Sequence, residues 1–127
     1  MKLLVDTHVL LWWFSRIGQL SPNSRVALET PDNQVYVSAA VAWELAIKAN
    51  LGKLEAHKLM PDLPQLLFEE GFRRLPISVD HAIRAGSLPQ HHKDPFDRML
   101  VAQAQFLGCP IVSADAILDR YGVVRIW

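Results

Sequence analysis

Apolar residues in this chain fall into two kinds of block, and the blocks alternate. Lys2-Leu3-Leu4-Val5 is a short apolar run, the pattern of a central strand buried on both faces. Gln34–Val37, Phe72–Ile77, Cys109–Val112 and Val123–Trp127 read as further strands, with Pro76 keeping the third at an edge. Between them apolar residues recur at helical spacing. Thr7 is expected to cap a helix through Leu10, Leu11 and Phe14, and Ser21-Pro22 to open one running to about Thr30. Ser38 caps a third helix that stops near Gly52, and Pro61-Asp62-Leu63-Pro64 opens a short one ending at Gly71. Val79–Ser87 is helical. Asp94 caps a long apolar helix through Phe96, Leu100 and Ala104, and a short helix follows Asp115 to Tyr121-Gly122. Strands alternating with helices over the whole length predict a three-layer α/β/α sandwich with a mainly parallel central sheet. Residues 53–75 carry the weakest pattern.

Length and composition add bounds. The 127 residues suit one domain, 1–127, with half of them hydrophobic and a fifth charged. The single cysteine, Cys109, leaves no internal disulfide and reads as an inert buried thiol in a reducing compartment. A carboxylate at the sixth position interrupts any signal-peptide core, and no apolar run nears the roughly 20 residues of a membrane span. The expected location is the cytoplasm. Thirteen basic and thirteen acidic residues cancel, so no global basic field points to nucleic acid. An enzyme that holds phosphate through metal ions needs local acid instead.

Local acid is present in a repeated place. Asp6 follows the first strand, where open α/β sheets put their ligands. Glu44 stands two turns into the third helix, flanked by Ala40, Val41, Ile47 and a single cation, Lys48. Asp97 falls at the third position of the helix that Asp94 caps and Pro95 begins, and Asp115 follows the fourth strand. In a parallel sheet all four acids can face one cleft. Such a group raises its own pKa values unless a cation joins it, and hard divalent ions such as Mg²⁺ or Mn²⁺ take carboxylate and water oxygens.

These stretches together resemble the PIN-domain proteins, and among them the VapC-type toxins of type II toxin–antitoxin pairs. The resemblance is carried by Leu3-Leu4-Val5-Asp6-Thr7-His8-Val9-Leu10-Leu11-Trp12, by Ser38–Lys48, by Asp94-Pro95-Phe96-Asp97-Arg98-Met99-Leu100-Val101-Ala102-Gln103-Ala104, and by Val112-Ser113-Ala114-Asp115. The family's acids fall on Asp6, Glu44, Asp97 and Asp115, which the resemblance makes metal-binding and catalytic. It implies Mg²⁺-dependent (or Mn²⁺-dependent) endoribonuclease activity on RNA, a homodimer, and a cognate DNA-binding, VapB-like antitoxin whose tail enters the acidic cleft.

Several residues keep two readings. Thr7 and Ser38 are caps that also lie near enough to hold a water or phosphate oxygen. Asp94 is mainly the N-cap, with a supporting role toward the ion as the alternative. Arg98 either pairs with Asp94 at i,i+4 or reaches phosphate, and His91-His92-Lys93 is a solvated loop or a basic rim for an RNA backbone. His8 reads as a packing residue or as a support behind the acids rather than as a ligand. Trp12, Trp13 and Phe14 cannot all face inward on one helix, so one side is expected to form a dimer or antitoxin patch. A response-regulator receiver would need a lysine after its last active-site strand, and none occurs after Lys93. A haloacid-dehalogenase-like phosphatase would need an acid where His8 stands. A PIN-like domain that binds without cleaving, and a DNA-directed nuclease, remain as alternatives.

Overall fold

Leu3, Leu4 and Val5 are each no more than 1% exposed, although successive strand residues point to opposite faces. Both faces of this strand are therefore covered. In the computed structural model, which describes residues 1–127, it is the centre of a five-stranded parallel sheet. The strands are β1 (Lys2–Val5), β2 (Gln34–Ser38), β3 (Arg73–Leu75), β4 (Ile111–Val112) and β5 (Arg125–Ile126), in the order β3-β2-β1-β4-β5. Leu3 pairs with Val35 and Val5 with Val112, which sets the register across the centre. All four pairings are parallel, so helices must make the crossovers. The three-layer α/β/α arrangement is as expected.

Seven α-helices make up the layers: α1 (Thr7–Ser15), α2 (Pro22–Glu29), α3 (Ala39–Asn50), α4 (Leu54–Leu59), α5 (Leu63–Glu70), α6 (Val79–Ser87) and α7 (Pro95–Leu107). The fourth has no counterpart in the sequence reading, because six residues offer too little periodicity to register. The start of α1 differs from expectation. Asp6 caps it, accepting the Val9 N–H at 2.8 Å through Oδ1, while Thr7 is already helical. Ser21 caps α2 and Ser38 caps α3 as expected. The third strand is shorter than 72–77, and its exposed Arg73 and Arg74 blunt the sheet edge.

The core gathers under α7, which touches β1, β4, α3 and α6. Leu100, Val101 and Ala104 on its inner face are buried with Leu3, Leu4 and Ile111. Truncating Leu100 to alanine would cost about 2–5 kcal/mol, the range for a filled core position. The helix ends at Gly108, whose φ of 62° is the left-handed cap conformation that favours glycine.

The aromatic triplet of α1 finds partners within the chain. Trp12, Trp13 and Phe14 are all half-buried. Trp12 lies against Trp127 at 6.0 Å between ring centres, and Trp13 and Phe14 close on Phe72 at 5.8 and 6.4 Å. These later residues cover the side that the helix alone would leave bare. The large exposed aromatics are elsewhere: Trp43, Phe68 and Phe106. Cys109 is buried as expected, and burial pushes its thiol pKa up. No helix is long and apolar enough to cross a membrane.

Candidate functional site

The chain leaves β1 toward β2 and β3 on one side, then returns to place β4 and β5 on the other. The carboxyl ends of β1 and β4 therefore flank a topological switch point, the usual ligand crevice of an open α/β sheet. Asp6 emerges there from β1, and Ser113 and Asp115 from β4. Ser113 is fully buried, and its hydroxyl donates a short hydrogen bond to Asp6 Oδ2. Ser113 Oγ in turn accepts the Asp115 N–H at 3.0 Å, so one serine ties the two acidic turns together. Asp115 Oδ1 accepts the Ile117 N–H at 3.0 Å and starts the closing 3-10 turn, Ala116–Tyr121.

Helix α7 delivers the next acid. Asp94 caps it through the Phe96 N–H at 2.8 Å, and Pro95 leads Asp97 to the third position, one turn from the cap. The loop before it supplies a residue that the sequence reading left in a generic basic rim. His92 Nε2 lies 2.7 Å from Asp115 Oδ2 and 3.2 Å from Asp97 Oδ2. Its backbone is tethered too: the N–H donates to the Tyr121 hydroxyl at 2.9 Å, which itself donates to the Pro89 carbonyl. Arg98 Nη1 donates to the His92 carbonyl at 3.2 Å, so Arg98 braces this loop and does not pair with Asp94. His91 and Lys93 do stay exposed.

Glu44 reaches the layer between α1 and α3 and is 9% exposed. Thr7 Oγ1 donates to its Oε1 at 2.6 Å, and Lys48 Nζ sits 3.0 Å from its Oε2. Thr7 thus serves Glu44 and caps nothing. The pair with Lys48 exists, but on a largely buried carboxylate rather than on a solvated face. Ser38 is buried and spent on the Ala40 N–H at 3.0 Å. His8 is exposed, with its ring 5.6 Å from that of Trp12. At the surface beside Glu44 and Asp97, Trp43 and Phe96 meet edge to face at 5.2 Å.

Charge in the crevice is out of balance. Burial pushes the Asp6 carboxyl above its ordinary value, opposed by the Ser113 hydroxyl, the Val9 N–H and His8. Asp97 is pushed up to about 7, first by burial and then by the charge of Asp94, with His92 pulling the other way. The charge of Asp6 adds to the rise in Asp97, and that of Asp115 to the rise in Asp6, so these acids act on one another. A carboxyl held half-protonated near neutrality reflects burial first, and after it neighbouring acid that the His92 ring opposes. An oxygen-donor group of this kind suits Mg²⁺ or Mn²⁺. Asp97 and Asp115 are brought together with His92, Asp6 is linked to Asp115 through Ser113, and Glu44 has its own partners in Thr7 and Lys48.

Comparison with known proteins agrees with the fold. The family model "PIN domain" matches residues 3–124. The chain is 32% identical over 121 residues to Ribonuclease VapC22 of Mycobacterium tuberculosis, covering 93% of this chain and 90% of that protein. Among solved structures it resembles VapBC2 from Rickettsia felis bound to a DNA fragment from its promoter, with a TM-score of 0.74 at 13% identity over 98% and 97% of the two chains. It also resembles Mycobacterium tuberculosis VapC20, a toxin cleaving the sarcin–ricin loop, with a TM-score of 0.69 at 16% identity over 96% of each chain.

Proposed function

The chain belongs to the PIN-domain family, and from that premise we propose that it is a divalent-metal-dependent endoribonuclease, the toxin of a type II toxin–antitoxin pair. The observation that carries the reading is the crowding of Asp6, Asp97 and Asp115 at the switch point of the sheet, with Asp97 lifted to about 7. That much uncompensated acid weakens the fold unless a cation is to be held there. The relative named a ribonuclease, similar over most of its length, supports the substrate class.

Asp6 and Asp97 are the chief metal ligands in this reading, with Asp115 completing the pocket and Glu44, already held by Thr7 and Lys48, bordering it without binding the ion. Mg²⁺, with Mn²⁺ as substitute, supplies an activated water and a Lewis acid for a phosphodiester oxygen. The chain's own groups do the positioning. Ser113 holds Asp6 and the Asp115 turn at fixed spacing, and the Asp94 cap fixes the first turn that presents Asp97. Lys93 and Arg98 lie on the loop side, where cations can meet the RNA backbone. The family resemblance implies 5′-phosphate and 3′-hydroxyl ends, the 3′ oxygen being the leaving group.

Partners follow from the same premise. The proposed assembly is a homodimer neutralised by a small DNA-binding, VapB-like antitoxin, whose Arg or Lys pairs with the crevice acids. The resemblance to a VapBC complex with promoter DNA supports such a partner. The test is cleavage of structured RNA by the parent and by Asp6→Asn, Glu44→Gln, Asp94→Asn, Asp97→Asn and Asp115→Asn, each with Mg²⁺, Mn²⁺ or EDTA. The proposal expects Asp6→Asn and Asp97→Asn to be inactive and Asp94→Asn to cut. Cleavage of DNA but not RNA would make the chain a DNA nuclease, and nucleic-acid binding with no cleavage would make it a binding module.

A further inference from the structure

His92, Asp97 and Asp115 look, by distance, like a ready-made metal triad. The His92 Nε2 separations of 2.7 and 3.2 Å from the two carboxylate oxygens bracket the edge of about 3.0 Å in an octahedron with bonds of about 2.1 Å. The protons say otherwise. The backbone N–H of Asp94 lies 3.1 Å from His92 Nδ1, and a backbone N–H can only donate. Nδ1 therefore accepts, and the ring proton is on Nε2, aimed at the two carboxylates. Metal-bound histidines have the reverse arrangement: the free nitrogen donates its N–H to an oxygen. For Nε2 to bind an ion here, its proton must leave and Nδ1 must either face a donor with a proton of its own or break from Asp94.

From this contradiction we infer that His92 is a positioning residue that stands in for the metal: its Nε2–H holds Asp97 and Asp115 together and competes with the incoming ion for their oxygens. This rests on the metal-dependent reading above. The remaining oxygen of Asp115 is already spent on the Ile117 N–H, which leaves Oδ2 as the contested atom. The exchange needs no loop movement. The His92 N–H stays on Tyr121 and its carbonyl on Arg98, so only the ring has to turn away. The metal-free protein thereby keeps two repelling acids together, their nearest oxygens within 4.8 Å of each other.

A ligand and a competitor predict opposite signs. Mg²⁺ and Mn²⁺ are titrated calorimetrically into the metal-free full chain, into His92→Ala and into His92→Gln, whose amide keeps an N–H donor. Losing the competitor should tighten binding in His92→Ala by about tenfold, the worth of one hydrogen bond to a charged acceptor. His92→Gln should stay near the parent. Binding that weakens or is unchanged in His92→Ala overturns the inference and leaves the metal site intact. No binding to any of the three overturns the metal reading as well. Nitrogen-15 spectra of the parent's imidazoles give a second readout that needs no alanine variant. With Mg²⁺ added, the His92 ring nitrogens should move toward the signals of a solvent-exposed imidazole, and a spectrum with Nδ1 protonated and Nε2 bound to the ion overturns the inference.

Discussion

Glu44 and Asp97 are both acids presented by a helix that follows a strand or loop at the same end of the sheet, yet their surroundings differ. Glu44 has one oxygen on the Thr7 hydroxyl and the other on the Lys48 ammonium. Its charge is answered within the chain. Asp97 has buried surroundings, Asp94 one turn away, Asp6 within electrostatic reach and only the His92 ring in opposition. Its charge is not answered. The difference separates an acid that the fold has stabilised from acids that wait for an external cation.

The largest effect expected from this comparison is on catalysis. Asp97→Asn should lower RNA cleavage by at least about 10²–10³-fold, as expected when an electrostatic element of the reacting centre is lost. It should leave the melting temperature of the metal-free protein equal or higher, because repulsion with Asp94 and Asp6 is relieved. A variant that melts lower and still cuts RNA would make Asp97 a structural acid.

Next comes Lys48→Met, which acts on the other side of the comparison. It leaves a largely buried carboxylate without its cation, at a cost of about 1–3 kcal/mol. Chemical denaturation should show that loss at neutral pH, and Glu44→Gln combined with Lys48→Met should recover part of it. Equal stability in parent and Lys48→Met would mean that Glu44 is answered by solvent.

A pH effect sharpens the contrast. Asp97 has a folded value of about 7 against an unfolded one near 3.9. Between these values the native state binds more protons than the unfolded chain, so its contribution to stability falls as pH rises. The metal-free parent should lose stability from about pH 4 through 7 through this group, and the slope should flatten in Asp97→Asn. Saturating Mg²⁺ should flatten it too. The smallest expected effect is Ser113→Ala: Asp6 loses a hydroxyl donor and the Asp115 N–H its acceptor, worth about 1–2 kcal/mol.

How much of this was legible in the sequence follows from the range of each interaction. The strands with several apolar residues, the capped helices and the four acids that follow strands or sit in the first two turns of helices are local patterns, and β1, β2, α2, α3, α6 and α7 lie where those patterns put them. Roles set by distant partners were hidden. Ser113 meets Asp6 across 107 positions and Thr7 meets Glu44 across 37, and nothing local marks either hydroxyl. His92 reads locally as solvated loop or basic rim because its acids come from the helix after it and from a turn 23 residues on. The one available hint was its place immediately before the acid-rich start of α7. The partners of the Trp12–Phe14 triplet were hidden for the same reason: Phe72 and Trp127 pack on it, and neither is local.

The central claim is that the crevice around Asp97, and not the Glu44 pocket, lacks a cation that the fold does not provide. Calorimetric titration of Mn²⁺ into the metal-free parent, Asp97→Asn and Glu44→Gln tests it directly. The account predicts binding to the parent, affinity lowered at least roughly tenfold in Asp97→Asn, and affinity within about threefold of the parent in Glu44→Gln, a spread that calorimetry resolves easily on the scale of 1.4 kcal/mol per decade. Parent-like binding by Asp97→Asn, or a loss in Glu44→Gln as large as that in Asp97→Asn, would contradict it.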